Sequence, residues 1–468
     1  MGMLTNFWLK QYLKQGRLVV VYALVLILAV INAFIYSDRY AQDATEYDRL
    51  ARAYNDSFQQ ASASPDGMAG MMFNLPLPQR SLKFMADSKI ETVPTIARVM
   101  PERVLLPSGS DGTGQNFLGF DAIDFAFIVE VILSFIALVL TYDAICGEKQ
   151  QGTLKQMLAN GVPRRSIFIS KILAGVTTLA LPLLLGLIVN LVSTQMLGKI
   201  PGVGQHYIAY GLFFLFSLLL LLFFVSLGVT VSALTRAPVT SLVVLVLLWA
   251  LLVVIAPGGV KLVGKVLSPV RSPEEYQRLS DDINQKYMMQ GIEAGAMTRP
   301  PSMARADNFK GERIFNRFSE QENGERENLA REQLRMLYAQ AETIDLLSVL
   351  SPSSLYRQAV ARLSDNDLPT LQDFFNQGER YQTALFSAMR LADEKDKDSP
   401  HLLFMGNAGI GSYLSTKPFG TAPPRFQWEE APIASRAAQS GPGLLILAAM
   451  IAVALLIGAF AFNRYDVR

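Results

Sequence analysis

Six long apolar runs punctuate the chain, and its polar residues fall between them. The runs cover residues 18–36, 125–142, 172–197, 208–234, 238–255 and 444–462. Each approaches the about 20 apolar residues that a helix needs to cross a bilayer core. No water reaches the backbone there, so a helix is the expected way to satisfy it. Ahead of the first run, residues 1–17 place Leu4, Phe7, Trp8 and Tyr12 at helical spacing, with Lys10 and Lys14 between them. That is the pattern of an interfacial (elbow) helix lying along the membrane, with a plain polar leader as the alternative. The predicted fold class is an α-helical integral membrane protein with six transmembrane helices.

Two polar inserts are too large to be simple loops. The first, residues 37–122, is punctuated at Ser64-Pro65-Asp66-Gly67, Pro76, Pro78, Pro94, Pro101 and Pro107. Helical pieces are expected over 41–61 and 78–86, and a loop over 112–116. The second insert, residues 257–441, reads as mainly helical. Ser272-Pro273-Glu274-Glu275 has the order of a helix start: a Ser N-cap, Pro at the first position and Glu at the third. A Glu-, Arg- and Gln-rich helix is expected from Phe309 to Leu347, with Asn323-Gly324 as a candidate division. Beyond Ser351-Pro352, helices are expected over 355–363 and 369–392. The charged run Asp393 to Asp398 reads as a solvated linker, and 401–430 as irregular or strand-like. Together the inserts are expected to build a mainly helical domain.

Charge orients this arrangement. Segments 1–17, 143–171, 234–237 and 463–468 hold eleven Lys and Arg against three acids, whereas the loop 198–207 has only Lys199. The positive-inside rule then puts both termini and residues 143–171 in the cytoplasm, and both inserts outside. A net charge of +2 makes no case for nucleic acid as a partner. Cys146 is the one cysteine, and the two histidines, His206 and His401, lie far apart, so neither a disulfide framework nor a metal site is expected. No cleavage signal follows the first run, which is expected to stay in place.

The chain has no phosphate-binding loop of the G-x-x-x-x-G-K-[ST] type, and no H-E-x-x-H, C-x-x-C or G-x-S-x-G. No catalytic residue and no bound cofactor are expected. The informative stretch is the polar island 143–171. Asp143 and Glu148 stand where the second run ends. Gly152-Thr153 opens a short helix over 154–159, with Thr153 as candidate N-cap. Asn160-Gly161 can close it in left-handed geometry, and Pro163 prevents its resumption. Arg164 and Arg165 follow, and the chain re-enters lipid past Lys171. Such a helix presents Leu154, Met157 and Leu158. On the residues alone, a surface helix in an ordinary loop and a docking element fit equally.

The island resembles the signature of ABC transporter membrane subunits of the type 2 permease class, D-x-x-x-G-E-x-x-x-G-T-L-x-x-x-L followed by Pro-Arg and Lys. Asp143, Gly147, Glu148, Gly152, Thr153, Leu154, Leu158, Pro163, Arg164 and Lys171 carry the match. Residues 228–235, GVTVSALT, are similar to the G-x-x-x-S-A-L segment of the same family. SPSSLYRQAVARLSDND, LQDFFNQGERYQ, PPRFQWEEAP and RSLKFMADSKIETVPTIARVM resemble its bacterial subgroup with a large extracytoplasmic insert. The resemblance implies a permease half in the bacterial cytoplasmic (inner) membrane. It would pair with a second permease, identical or paralogous, and with two cytoplasmic ATPase subunits that bind ATP and Mg. The chain itself would be no enzyme. The resemblance also makes 143–171 the coupling-helix segment. Leu154, Met157 and Leu158 would be apolar knobs in an ATPase cleft, Glu148 and Arg164 or Arg165 charged contacts at its margins, and Asp143, Gly152 and Thr153 members of the same set. The implied function is ATP-driven export of a substrate that the residues do not name. The alternatives are a mechanical transducer acting on an envelope protein without transport, and a static anchor. The extracytoplasmic domain could cap the exit path or hold an envelope partner.

Within the runs, Glu130 is the one acid well inside a span. A charge at mid-bilayer costs about 2.5–3.5 kcal/mol, so such a residue faces protein or water. It reads either as a gate or substrate contact, or as a residue near the outer interface. Asn190 offers a pathway contact or an interhelical hydrogen bond. Phe213, Phe214, Phe216, Phe223 and Phe224 crowd the fourth run, as an amphiphile path or as lipid-facing packing.

Overall fold

A computed structural model describes residues 2–13, 16–87, 96–105, 124–200, 206–405 and 412–464. Among the described residues, six helices are long and apolar enough to cross a membrane: Leu18–Ala61, Phe125–Gln151, Arg164–Leu197, Tyr207–Leu234, Pro238–Leu267 and Ile433–Arg464. They are called the first to sixth spans below. Several outrun the apolar stretches that predict them. The first belongs to one helix, Gly16–Ala61, of 46 residues. At 1.5 Å per residue that is about 69 Å, against a hydrocarbon core of about 30 Å. The pieces expected at 18–36 and 41–61 are therefore a single rod. Polarity changes near Asp38, but neither Pro nor Gly stands there, and a sequence rich in Ala, Arg and Gln carries the helix on to Ala61, just before Ser64-Pro65. The fifth span likewise continues past Ile255 to Leu267, through a π-helical stretch Ala250–Ile255. The sixth begins at Ile433 and runs through Pro442. Residues 81–85 form turns instead of the helix expected over 78–86, and the loop expected over 112–116 lies outside the described residues.

The fourth span is the hub, packed against the second, third and sixth. Phe213, Phe216, Phe223 and Phe224 are all buried in it. They build protein core, which corrects the expectation of lipid-facing packing. Glycines let the rods approach. A Cβ on Gly228 would stand 1.9 Å from Thr141 Oγ1, and one on Gly458 2.4 Å from Thr230 Oγ1. The fifth span is the opposite case, with Val239, Leu247 and Leu251 exposed along its length.

The two inserts fold into one domain. Its sheet, unexpected from sequence, comes from the first insert: β1 (Phe73–Pro76), β2 (Ile96–Met100) and β3 (Arg103–Leu105), antiparallel in that order. Phe73 pairs with Val99 and Leu75 with Ala97, and these four turn inward at the period of two that a strand imposes. They meet Phe58 from the projecting half of the first helix, and Phe374, Tyr381 and Leu385 from helix Leu368–Glu394. The Tyr54 and Tyr381 hydroxyls join across this core at 2.9 Å. A hairpin of helices Pro273–Glu293 and Lys310–Leu347 stands beside it. Ser272 caps the first, accepting from Glu275 N–H at 3.2 Å. The second runs unbroken through Asn323-Gly324. Ion pairs Arg271–Glu332 and Lys286–Glu325, each at 2.8 Å, fix their antiparallel register. Residues 401–405 and 412–430 are irregular and contain no strand. Asp393, expected in a solvated linker, is buried. Its carboxylate accepts from Ser399 Oγ and Ser415 N–H, both at 2.6 Å, and pairs with His401 Nδ1 at 2.7 Å. The buried carboxylate anchors the turn that follows it.

Candidate coupling segment

Within the second span the helix stops at Thr141, and the chain turns through Tyr142–Ile145 into a short helix, Cys146–Gln151. Gly152 follows at φ +76°, a left-handed conformation that glycine adopts without strain. A second short helix, Thr153–Ala159, leads to Asn160 and to Gly161 at φ +75°. Pro163 then starts the third span at Arg164. The breakers act where the sequence places them, with one correction. Thr153 is the first helical residue and no N-cap; its hydroxyl donates to the Glu148 carboxylate instead.

Four elements hold this segment. Ser232, near the end of the fourth span, accepts from Ile145 N–H at 2.9 Å and Cys146 N–H at 3.0 Å. It thus satisfies donors that the start of helix Cys146–Gln151 would otherwise leave bare. Lys149 Nζ donates to Ala233 O and, at 3.1 Å, to Thr235 O, capping the C-terminal carbonyls of the fourth span. The stretches 143–171 and 228–235, far apart in sequence, are thus two halves of one joint. Glu148 Oε1 pairs with Lys171 Nζ at 3.3 Å, and that ammonium lies 3.6 Å from the Trp8 ring centroid. Lys171 is 2% exposed, so the pair and the cation–π contact act in a desolvated setting. Trp8 belongs to helix Gly2–Leu13, which packs on the third span and is thereby tied to the segment. Arg164 Nη1 donates to Phe462 O at 2.9 Å and Asn463 O at 3.0 Å, at the end of the sixth span.

Residues 9–467 match the family model of the ABC-2 family transporter proteins. The chain belongs to the ABC-2 transporter family. It is a membrane permease component of an ABC transporter, a class that works with an ABC ATPase and is not itself the catalyst. No curated protein matches the chain.

In this ABC-2 permease the predicted site residues divide into two sets. Glu148, Gly152, Thr153, Leu154 and Arg164 are turned to internal bonding or backbone geometry. Leu154 is 1% exposed and belongs to the core of the bundle, so it is no outward knob. The short helix lies against the spans, and its inner face takes the first leucine. Met157 and Leu158 are half-buried on the same core, while Asp143, Lys155, Gln156, Ala159 and Arg165 are exposed. Sequence reasoning missed Ser232, Lys149 and Trp8. The similarity of residues 228–235 to the family was the available signal for Ser232.

The two intramembrane candidates also find protein partners. Asn190 Nδ2 donates to Ala29 O at 3.0 Å and Asn32 Oδ1 at 2.7 Å, the interhelical bond between the third and first spans. Glu130 sits in a π-helical stretch of the second span, Ile128–Leu133, and accepts from Arg357 Nε at 2.7 Å. Asp124 accepts from Arg357 Nη1 at 2.9 Å.

Proposed function

We propose that this permease exports a substrate, driven by ATP binding and hydrolysis on two separate ATPase subunits docked at residues 143–171. In this reading both termini and the segment face the cytoplasm of a bacterium. The domain built from the inserts stands outside the inner membrane, and a second permease, identical or paralogous, completes the translocator. The observation that carries the reading is the way the segment is tied. Ser232, Lys149, Lys171, Trp8 and Arg164 connect it to the fourth, third and sixth spans and to helix Gly2–Leu13, while the second span runs directly into it. A push on so short a capped segment reaches four spans at once. The family supplies the ATPase as the source of that push. The charge census favours the orientation.

The docking face we assign is Lys155, Gln156, Ala159 and Arg165 around half-buried Met157 and Leu158. Charge reversal by Lys155→Glu with Arg165→Glu should reduce co-purification of the ATPase at least tenfold and leave thermal unfolding unchanged. Leu154→Asp should lower the unfolding temperature itself, because it buries a carboxylate in apolar core. Wild type that brings down no ATPase, or a charge-reversed variant that keeps both ATPase and efflux, overturns the assignment. The transducer reading predicts ATP hydrolysis that responds to an envelope protein with no substrate moved, and reconstituted efflux separates the two.

A further inference from the structure

Helix Pro352–Leu363 belongs to the second insert, yet it packs among the spans at the domain end of the bundle. Leu355, Tyr356, Ala359 and Val360 are buried there. Each span around it is held by a different polar tie. Arg357 bridges Glu130 and Asp124 of the second span or its cap, at 2.7 and 2.9 Å. The Tyr356 hydroxyl meets Ser217 of the fourth span at 2.8 Å. Ser351 Oγ and Ser353 Oγ donate to Leu252 O of the fifth span at 2.7 and 3.1 Å. Ser440 Oγ of the sixth span donates to Ala359 O at 3.2 Å. Glu130 and Leu252 both lie in π-helical stretches, Ile128–Leu133 and Ala250–Ile255. Such stretches interrupt regular helices, frequently at functional sites.

The charges are unequal in a way that suits release. The Arg357 side chain is 31% exposed, while Glu130 and Asp124 are 8% and 2% exposed. Arg357 is thus the one of the three charged groups with an exposed face. Without it, Asp124 still accepts from Phe127 N–H and Asp87 N–H, at 2.6 and 2.9 Å. Glu130 loses the guanidinium that neutralises it, and a buried charge stripped of its partner is strongly disfavoured. In the engaged arrangement that buried charge is neutralised. The same second and fourth spans carry the coupling joint at their other ends. Glu130 and Thr141, where the chain turns into the coupling segment, are 11 residues apart on the second span, about 17 Å of helix.

We propose that helix Pro352–Leu363 is a releasable latch, with Arg357 as its key, that clamps the second, fourth, fifth and sixth spans at the domain end. We further infer that motion of the second span, arriving from the coupling segment, opens it. That second step rests on the ATPase-coupling reading above; the latch does not.

The test uses the full chain in lipid nanodiscs, with Cys146→Ala as background and Ala359→Cys as a buried reporter for a membrane-impermeant maleimide. Arg357→Gln should raise the labelling rate at least fivefold, and Arg357→Lys, which keeps the charge, should raise it less. A rise below fivefold for Arg357→Gln overturns the latch. If that variant is not monodisperse, Ser351→Ala with Ser353→Ala replaces it under the same threshold. In the Arg357 parent assembled with its ATPase, ATP should accelerate labelling. Acceleration by Arg357→Gln but not by ATP keeps the latch and removes the coupled opening.

Discussion

At Gly228 the missing side chain is what brings the second and fourth spans together. A Cβ would fall 1.9 Å from Thr141 Oγ1, and that hydroxyl is itself committed to Ala137 O at 2.7 Å. Gly228→Ala is expected to cost about 1–3 kcal/mol as an overpacked contact, and Thr141→Ala in the same chain should recover most of it, read by thermal unfolding of the purified protein. Asp345 gives a different residue-scale test. Burial pushes its carboxyl up to about 6, against the opposing pull of Arg362. Between the ordinary aspartate value and about 6 the folded state holds a proton that the unfolded chain has lost, so stability falls as pH rises through that window and is flat above it. The side chain is 40% exposed, and solvent screening keeps the effect below about 1 kcal/mol. Asp345→Asn should remove the slope between pH 4 and 6, as chemical unfolding at several pH values will show. Single residues were unevenly legible. Gly161 announced a left-handed turn by identity alone and Gly152 the start of the short helix, whereas nothing local marked Leu154 as inward or Asp393 as buried. Burial depends on which surface a helix or turn meets, and that surface comes from elsewhere in the chain.

The elements were legible by kind and less so by length. Apolar runs located all six spans because a lipid environment demands about 20 apolar residues in a row. Several of their ends were misplaced because polarity marks where lipid ends, while a helix ends only where its backbone is interrupted. Helix Gly16–Ala61 is the clearest case: its apolar half is a span and its polar half carries Tyr54 and Phe58 into the core of the domain. If it is one rod, Ala44→Pro should cost about 3 kcal/mol by removing a ladder hydrogen bond and clashing with the preceding turn. Limited proteolysis should then cut between span and domain, where wild type resists. The sheet escaped notice for the complementary reason. β1 and β2 are only 4 and 5 residues long, and they are stabilised by Phe58, Phe374 and Tyr381 from distant helices more than by their own pattern.

Across the whole molecule two polar joints stand at opposite ends of the same spans. One gathers Glu148, Lys171, Ser232 and Arg164; the other gathers Glu130, Asp124, Arg357 and Tyr356. The second and fourth spans run between them with glycine-mediated contact, and in the proposed reading displacement at one end would be carried to the other as rigid-body tilt. Moving such a two-state system from 1:99 to 99:1 takes about 5.5 kcal/mol of differential binding, which sets the scale of work the ATPase would have to deliver through residues 143–171.

By itself the sequence determined that the chain spans a membrane six times, that its polar residues gather into one island and two inserts, and that the island carries an ABC-2 signature. These are local properties: hydropathy over a window, turn chemistry at Gly and Pro, and motif spacing. Only the tertiary structure decided which signature residues are exposed and which face the protein. It also decided that the inserts make one domain, and that Glu130 answers to Arg357, 227 residues away. A charge in lipid requires a counter-charge, and the chain alone cannot say where in its length that counter-charge lies, because folding brings together residues whose separation in sequence carries no trace of their contact.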